Sequence, residues 1–104
     1  MLATLKKLFG FGPSVNYADL MKNGGVIIDV RTKGEFAGGH IKGSVNIPLD
    51  QLSNNLSKYK DLNQPIITCC ASGMRSASGK SILKSKGYTN VHNGGSWMSL
   101  RNKI

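Results

Sequence analysis

The chain has 104 residues, a length that suits one compact domain and is too short for two hydrophobic cores. Its 39% hydrophobic content argues against a disordered or fibrous protein, and it contains no apolar run long enough to span a membrane. The formal charge of +9 attracts anions, but the lysines are scattered rather than gathered into a stripe, which favours steering of small anions over nucleic-acid binding.

Residues 1–13 are predicted to form a separate amphipathic segment, and residues 14–104 are predicted to form the single domain. The apolar residues of the segment share one helical face: Leu2, Leu5, Leu8 and Phe9. Two lysines interrupt the apolar run that a signal peptide would need. The adjacent Cys69 and Cys70 would close almost no loop as a disulfide. We therefore expect a cytoplasmic protein without stable membrane insertion.

Helices and strands are predicted to alternate along the first half of the chain. A helix at residues 17–22 precedes a strand at 26–30, whose continuous β-branched run is typical of a parallel strand buried on both faces. The run from Thr32 to Glu35 has the pattern of a capping box and therefore predicts the start of a short helix. A second short strand is predicted at residues 44–47.

The third predicted strand, residues 65–69, leads directly into a loop that starts at Cys70. A helix is predicted to begin near Arg75 and to end at Gly87, where glycine suits a left-handed turn. Its apolar face is predicted at Ala77, Ile82 and Leu83.

A fourth strand at residues 88–92, a turn at Gly94 and Gly95, and a final helix at residues 96–102 complete the predicted order. Strands that alternate with helices predict an α/β fold with a central, mostly parallel sheet of four to five strands and helices on both faces. Ligand sites of such sheets form beyond the carboxyl ends of the strands. The Cys70 loop lies at such an end.

The loop is the predicted active site. A thiolate between a buried strand and a helix N-terminus meets backbone N–H groups and the positive end of the helix dipole, which lower its pKa and activate it. Cys70 is the predicted nucleophile, and the predicted binding residues are Ala71, Ser72, Gly73, Met74, Arg75 and Ser76. Small residues let the loop amides point inward, and Arg75 adds a positive charge.

Several short motifs extend this interpretation over most of the chain. They are Ile28-Asp29-Val30-Arg31, Glu35-Phe36, Gly39-His40-Ile41, Asn46-Ile47-Pro48-Leu49, Cys70-x-x-Gly73-x-Arg75-Ser76 and Gly94-Gly95. In this order they resemble the rhodanese family over nearly all of residues 15–100. The resemblance implies a rhodanese-like fold and a single-domain thiosulfate sulfurtransferase. In that reaction the Cys70 thiolate takes the outer sulfur of a donor, and its persulfide passes to a thiophilic acceptor.

The resemblance also implies which molecules take part. We expect a small anionic sulfur donor, a thiol acceptor such as glutathione or thioredoxin, no cofactor and a monomeric protein. Asp29, Arg31 and Glu35 are predicted to support the loop, with Arg31 paired to Glu35 or to Asp29. No metal is expected, because two adjacent thiols span a tetrahedral zinc site poorly.

Two alternatives to sulfur transfer stay open at this point. Counted from Cys69, the spacing to Arg75 is that of a phosphatase loop, which indicates a phosphatase or arsenate-reductase-like enzyme of the same fold. Gly73, Arg75 and Ser76 keep the rhodanese register only from Cys70, and Cys69, at the end of an apolar strand, is predicted to be a core thiol. The second alternative is a non-catalytic interaction module, since one fold can host both.

Overall fold

A computed structural model of the chain describes residues 15–104. The segment predicted at residues 1–13 lies outside the described residues, and the division of the chain there stays a prediction. The described elements are, in chain order, helix α1 (Tyr17–Lys22), strand β1 (Val26–Asp29), helix α2 (Lys33–Ala37), strand β2 (Val45–Asn46), a 3₁₀ helix (Leu49–Asn54), strand β3 (Ile66–Cys70), helix α3 (Met74–Ser85), strand β4 (Val91–Ser96) and helix α4 (Trp97–Arg101).

The four strands form one sheet in the order β2-β1-β3-β4, and every neighbouring pair is parallel. Asp29 at the end of β1 lies level with Asn46 on one side and with Cys69 on the other. The segments that follow these three strands therefore gather at one edge of the sheet. This architecture confirms the predicted α/β class.

The sheet separates two apolar clusters. One contains Ile28, Ile66 and Cys70 of the sheet with Leu52 of the 3₁₀ helix and Leu83 of α3. The other contains Ile27, Ile67 and Cys69 of the sheet with Leu100 of α4, and residues of α1 pack against it. Successive residues of a strand face opposite sides, so helices cover both faces and the two cysteines belong to different clusters.

The fourth strand lies further along the chain than predicted. Gly94 and Gly95, which the sequence analysis placed in a turn, are part of β4. A Cβ atom at Gly94 would lie 2.8 Å from side-chain carbons of both Ile67 and Leu100. Because Gly94 has no side chain, α4 can pack directly against β3. The need for glycine at this position therefore comes from tertiary packing rather than from local turn preference.

The buried face of α3 agrees with the prediction at Ile82 and Leu83, which pack in the core, and differs from it at Ala77. Ala77 is exposed, whereas Ser76, Gly79 and Leu83 are buried. A Cβ atom at Gly79 would lie 3.3 Å from a side-chain methyl of Val30. The helix thus approaches the sheet through two small residues, which a search for large apolar residues does not detect.

Within residues 15–104, no helix combines the length and the apolar character that crossing a membrane requires. Over the same range, no three His, Cys, Asp or Glu side chains come together in an arrangement that could hold a metal ion.

Two glycine substitutions test the packing of α4. Gly94→Ala is expected to lower the free energy of unfolding by about 1–3 kcal/mol, the usual effect of an added atom in a packed core. Gly34→Ala is the matched control, because a Cβ atom at this position of α2 meets no atom within 4 Å. It is expected to raise the free energy by up to about 1 kcal/mol through helix propensity. Urea denaturation measures the free energy of unfolding of both variants. Equal values for Gly94→Ala and Gly34→Ala would contradict the packing role of Gly94.

Candidate active site

The Cys70 loop is a tight connection between β3, which ends at Cys70, and α3, which begins at Met74. Gly73 caps the helix with φ +104°, a left-handed conformation that favours glycine. This turn brings the N–H of Gly73 to 2.9 Å from the Cys70 sulfur and the N–H of Ser76 to 3.4 Å. The loop amides therefore converge on Cys70, in the arrangement expected from the sequence.

The environment of the Cys70 sulfur favours its ionised form. Burial by itself raises the pKa of the Cys70 thiol. The hydroxyl of Ser76 and the N–H groups of Ser76, Gly73 and Ser72 outweigh burial, so the pKa lies below that of an ordinary cysteine. The positive end of the α3 dipole acts in the same direction. A thiol with this surrounding is an activated nucleophile and an anion site at once.

Cys69 has the opposite character, although it is the neighbouring residue. Its side chain is fully buried on the other face of the sheet, in the cluster that contains Ile67 and Leu100. Burial raises the pKa of Cys69 to about 12, and the nearby Asp29 carboxylate adds to this effect. Cys69 therefore stays a thiol at neutral pH, as the sequence analysis expected of a core cysteine.

Arg75 is held in an ion pair that the sequence analysis did not foresee. Its Nη1 and Nη2 atoms donate to the two carboxylate oxygens of Glu35 at 2.6 and 2.9 Å. The Thr32 N–H also donates to Oε1 of Glu35, through the predicted capping box. Arg75, followed by Thr32, lowers the pKa of Glu35 to about 2, so the pair stays charged at physiological pH. Arg75 is therefore a compensated charge at the loop.

Arg31 pairs with Asp29, one of the two partners that the sequence predicted. The Nη2 atom of Arg31 lies 2.8 Å from the Asp29 carboxylate, and both side chains are buried. Arg31 also donates to the carbonyl groups of Glu35 and Gly39, and its guanidinium carbon lies 4.8 Å from the centre of the Trp97 ring. These contacts hold α2 and the turn after it against α4, beside the Cys70 loop.

Asn93 of β4 is a site residue that the sequence analysis missed. Its Oδ1 accepts hydrogen bonds from the Ser76 hydroxyl at 2.6 Å and from the Gly95 N–H at 2.9 Å. Its Nδ2 donates to the Gly73 carbonyl at 3.4 Å, so two backbone groups fix the orientation of the amide. The same Ser76 hydroxyl lies 3.4 Å from the Cys70 sulfur. Asn93 thus connects β4 to the loop.

Comparison with known protein families matches residues 14–100 to the rhodanese-like domain. The chain belongs to this family. The match confirms the predicted family, and a rhodanese with anions from Escherichia coli confirms the fold. That structure superimposes with a TM-score of 0.68 at 32% identity, over 72% of this chain and 89% of its own.

Two curated relatives of this rhodanese-like domain show how far the similarity extends. The uncharacterized protein YqhL of Bacillus subtilis is 37% identical over 67 residues, which are 64% of this chain and 52% of that protein. Thiosulfate sulfurtransferase PspE of Escherichia coli is 35% identical over 69 residues, or 65% of this chain and 66% of that protein. The matches therefore span between half and two-thirds of these relatives.

Ser76→Ala tests the hydrogen bonds around Cys70. Loss of the hydroxyl is expected to raise the pKa of Cys70, because a donor to the thiolate disappears. The pH dependence of iodoacetamide alkylation measures this pKa in a Cys69→Ser background. Ser81→Ala, at an exposed position of the same helix, is the control and is expected to leave the pKa in place. An unchanged pKa in Ser76→Ala would contradict the assigned donor.

A double-mutant cycle tests whether Asn93 acts on Cys70 through Ser76. Asn93→Ala is expected to lower the pKa of Cys70 while Ser76 is present, because the amide oxygen, like the Gly73 carbonyl, competes with the Cys70 thiolate for the single hydroxyl proton. The change is expected to shrink in the Ser76→Ala background. Additive changes in the pKa would show instead that Asn93 acts only by supporting the backbone.

Proposed function

We propose that the protein is a sulfurtransferase that carries a sulfane sulfur as a persulfide on Cys70. The main support is the contact of 2.9 Å between the Gly73 N–H and the Cys70 sulfur, together with the second amide from Ser76. Such donors activate the thiolate for attack and also stabilise the persulfide anion that results. A relative named as a thiosulfate sulfurtransferase supports the same activity at the level of the family.

The proposed reaction has two half-reactions. In the first, the Cys70 thiolate attacks the outer sulfur of thiosulfate, a new S–S bond forms, and sulfite leaves with the electron pair of the broken bond. In the second, a nucleophilic acceptor attacks the outer sulfur of the persulfide, and Cys70 leaves as a thiolate. The Cys70 sulfur loses negative charge in the first step and regains it in the second. Hydrogen-bond donors that are fixed around this sulfur therefore assist both steps.

The proposal assigns roles to the remaining site residues. The loop from Ala71 to Ser76 binds the donor and the persulfide mainly through backbone amides, with Met74 and Arg75 at its rim. Asp29, Arg31 and Glu35 support the loop through two ion pairs, Arg31 with Asp29 and Arg75 with Glu35. No step needs a cofactor or a metal.

We propose a small anionic sulfur donor, because the net charge of +9 steers anions toward the protein. The acceptor is a thiol such as glutathione or thioredoxin, and the protein works as a monomer. The chemistry needs Cys70 as a free thiol, which fits a reducing compartment such as the cytoplasm.

The phosphatase alternative depends on Cys69 as the nucleophile. Cys69 lies on the face of the sheet that is turned away from the loop amides, and its raised pKa of about 12 disfavours the thiolate. Sulfur transfer from Cys70 is for this reason the function that we propose.

The two adjacent cysteines give the most direct test. After treatment with thiosulfate and removal of excess donor, the wild-type protein and Cys69→Ser are expected to carry one additional sulfur atom. Cys70→Ser is expected to carry none, because the remaining thiol faces away from the loop amides and its raised pKa keeps it protonated. Intact-mass measurement under non-reducing conditions reads out the loading. Sulfur loading of Cys70→Ser but not of Cys69→Ser would overturn the proposal. It would favour the phosphatase alternative, in which the loop is counted from Cys69.

The Arg75–Glu35 pair predicts opposite effects of two variants on donor capture. Glu35→Gln leaves the charge of Arg75 uncompensated while glutamine keeps the capping box, so KM for thiosulfate is expected to fall by about two- to fivefold. Arg75→Ala is expected to raise KM. Both effects should shrink as salt is added, because exposed charges are screened. Steady-state kinetics at low and high salt measure them, and changes of KM in the same direction would contradict the prediction.

A further inference from the structure

A cleft of about 350 Å³ opens beside the Cys70 loop. Its lining residues are Val30, Thr32, Pro48, Leu49, Asp50 and Arg75. They follow the carboxyl ends of β1 and β2 or begin α3, so the cleft lies at the same edge of the sheet as the loop. A volume of this size accommodates a small organic molecule.

One lining residue of the cleft, Val30, lies beside the end of β3. The Val30 N–H donates to the carbonyl of Cys69 at 3.0 Å, and Val30 belongs to the same apolar cluster as Cys70. The Val30 carbonyl accepts from the Leu49 N–H at 3.1 Å, which ties Val30 to the 3₁₀ helix. Val30 and Pro48 are buried, so the apolar surface that a ligand in the cleft can reach belongs mainly to the partly exposed Leu49.

The charge of the cleft is opposite to that of the protein as a whole. Both Nη atoms of Arg75 are bound to Glu35, so these two charges compensate each other. Asp50 is exposed, and none of the salt bridges within residues 15–104 includes it. The cleft therefore presents the apolar side chain of Leu49 and one uncompensated carboxylate, a combination that complements a ligand with a short carbon chain and a positive charge.

We propose that this cleft binds the sulfur acceptor and selects a small thiol that bears an ammonium group, an inference that rests on the proposed Cys70 persulfide. The ammonium group pairs with Asp50, and the carbon chain covers Leu49. The thiol then faces the sulfur on Cys70. An anionic donor uses the amides of the loop instead, so the two half-reactions use different surfaces of one site.

The transfer to an aminothiol is balanced without any further reactant. A bond forms between the acceptor sulfur and the outer sulfur of the persulfide, and the bond from that outer sulfur to Cys70 breaks. The electron pair of the broken bond stays on Cys70, which becomes the thiolate again. The transferred sulfur takes up the proton that the acceptor thiol gives up, so the acceptor leaves as a hydropersulfide. The ammonium group also lowers the pKa of the acceptor thiol, which increases the fraction of the acceptor that is present as the attacking thiolate.

The experiment measures how fast three thiols remove sulfur from the loaded protein. Cys70 is loaded with thiosulfate, excess donor is removed, and the loss of bound sulfur is followed by mass with cysteamine, 2-mercaptoethanol or 3-mercaptopropionate. In Asp50→Asn, the rate with cysteamine relative to 2-mercaptoethanol is expected to fall by about two- to fivefold, the range of an ion pair that solvent reaches. The relative rate with 3-mercaptopropionate is expected to rise.

Two further variants separate a binding role from a general charge effect. Asp50→Glu keeps the carboxylate and is expected to keep the preference for cysteamine. Asp61→Asn removes the same charge from the turn before β3, at the other edge of the sheet, and is expected to leave the ratio at its wild-type value. Equal changes for all three thiols, or the same change in Asp61→Asn, would overturn the inference.

A binding measurement tests the cleft independently of the persulfide. If no sulfur loads onto Cys70, the proposed function fails, and the cleft is tested with the unreactive thioether S-methylcysteamine. Its addition is expected to shift the amide resonances of Val30, Thr32 and Leu49 in the wild-type protein and to shift them less in Asp50→Asn. The absence of such shifts in the wild-type protein, or equal shifts in both proteins, would overturn the inference.

Discussion

The hydrogen bond from the Gly73 N–H to the Cys70 sulfur sets the geometry of the whole loop. It needs a left-handed residue directly before α3, and it needs β3 to end with the Cys70 side chain on the α3 side of the sheet. Glycine is required there for conformation, because φ is +104°, whereas a Cβ atom at Gly73 would make only an ordinary contact of 3.5 Å with the backbone of Gly95. Once the turn is fixed, the first turn of α3 brings the amide of Ser76 to the same sulfur.

The loop stabilises a negative sulfur without a free positive charge next to it. Both arginines near the loop are paired with carboxylates, Arg31 with Asp29 and Arg75 with Glu35. Neutral amides are suited to this task because they supply fixed partial charges, whereas a second full charge would itself have to be removed from water. The net charge of +9 acts at longer range, on the approach of anions rather than on the bound sulfur.

The parts of the fold that depend on neighbouring residues could be predicted from the sequence, and the parts that depend on distant residues could not. The buried strand β1, the capping box and the position of the Cys70 loop each follow from a local pattern. The ion pair of Glu35 and Arg75 joins residues 40 positions apart, and the contact of Asn93 with Ser76 joins residues 17 positions apart. No local pattern reports such contacts, and for the same reason Gly94 was assigned to a turn.

The separation of Cys69 from Cys70 protects the sulfur that the proposed function requires. A thiolate at Cys69 could attack the inner sulfur of a Cys70 persulfide, which would form a disulfide between the two residues and release hydrosulfide. Adjacent residues of a strand direct their Cβ atoms to opposite faces, so the two sulfurs cannot reach bonding distance while β3 is intact. The pKa of about 12 also keeps Cys69 protonated and therefore a poor nucleophile. Strand geometry and burial thus exclude the same side reaction independently, and a reactive and an inert thiol can occupy neighbouring positions.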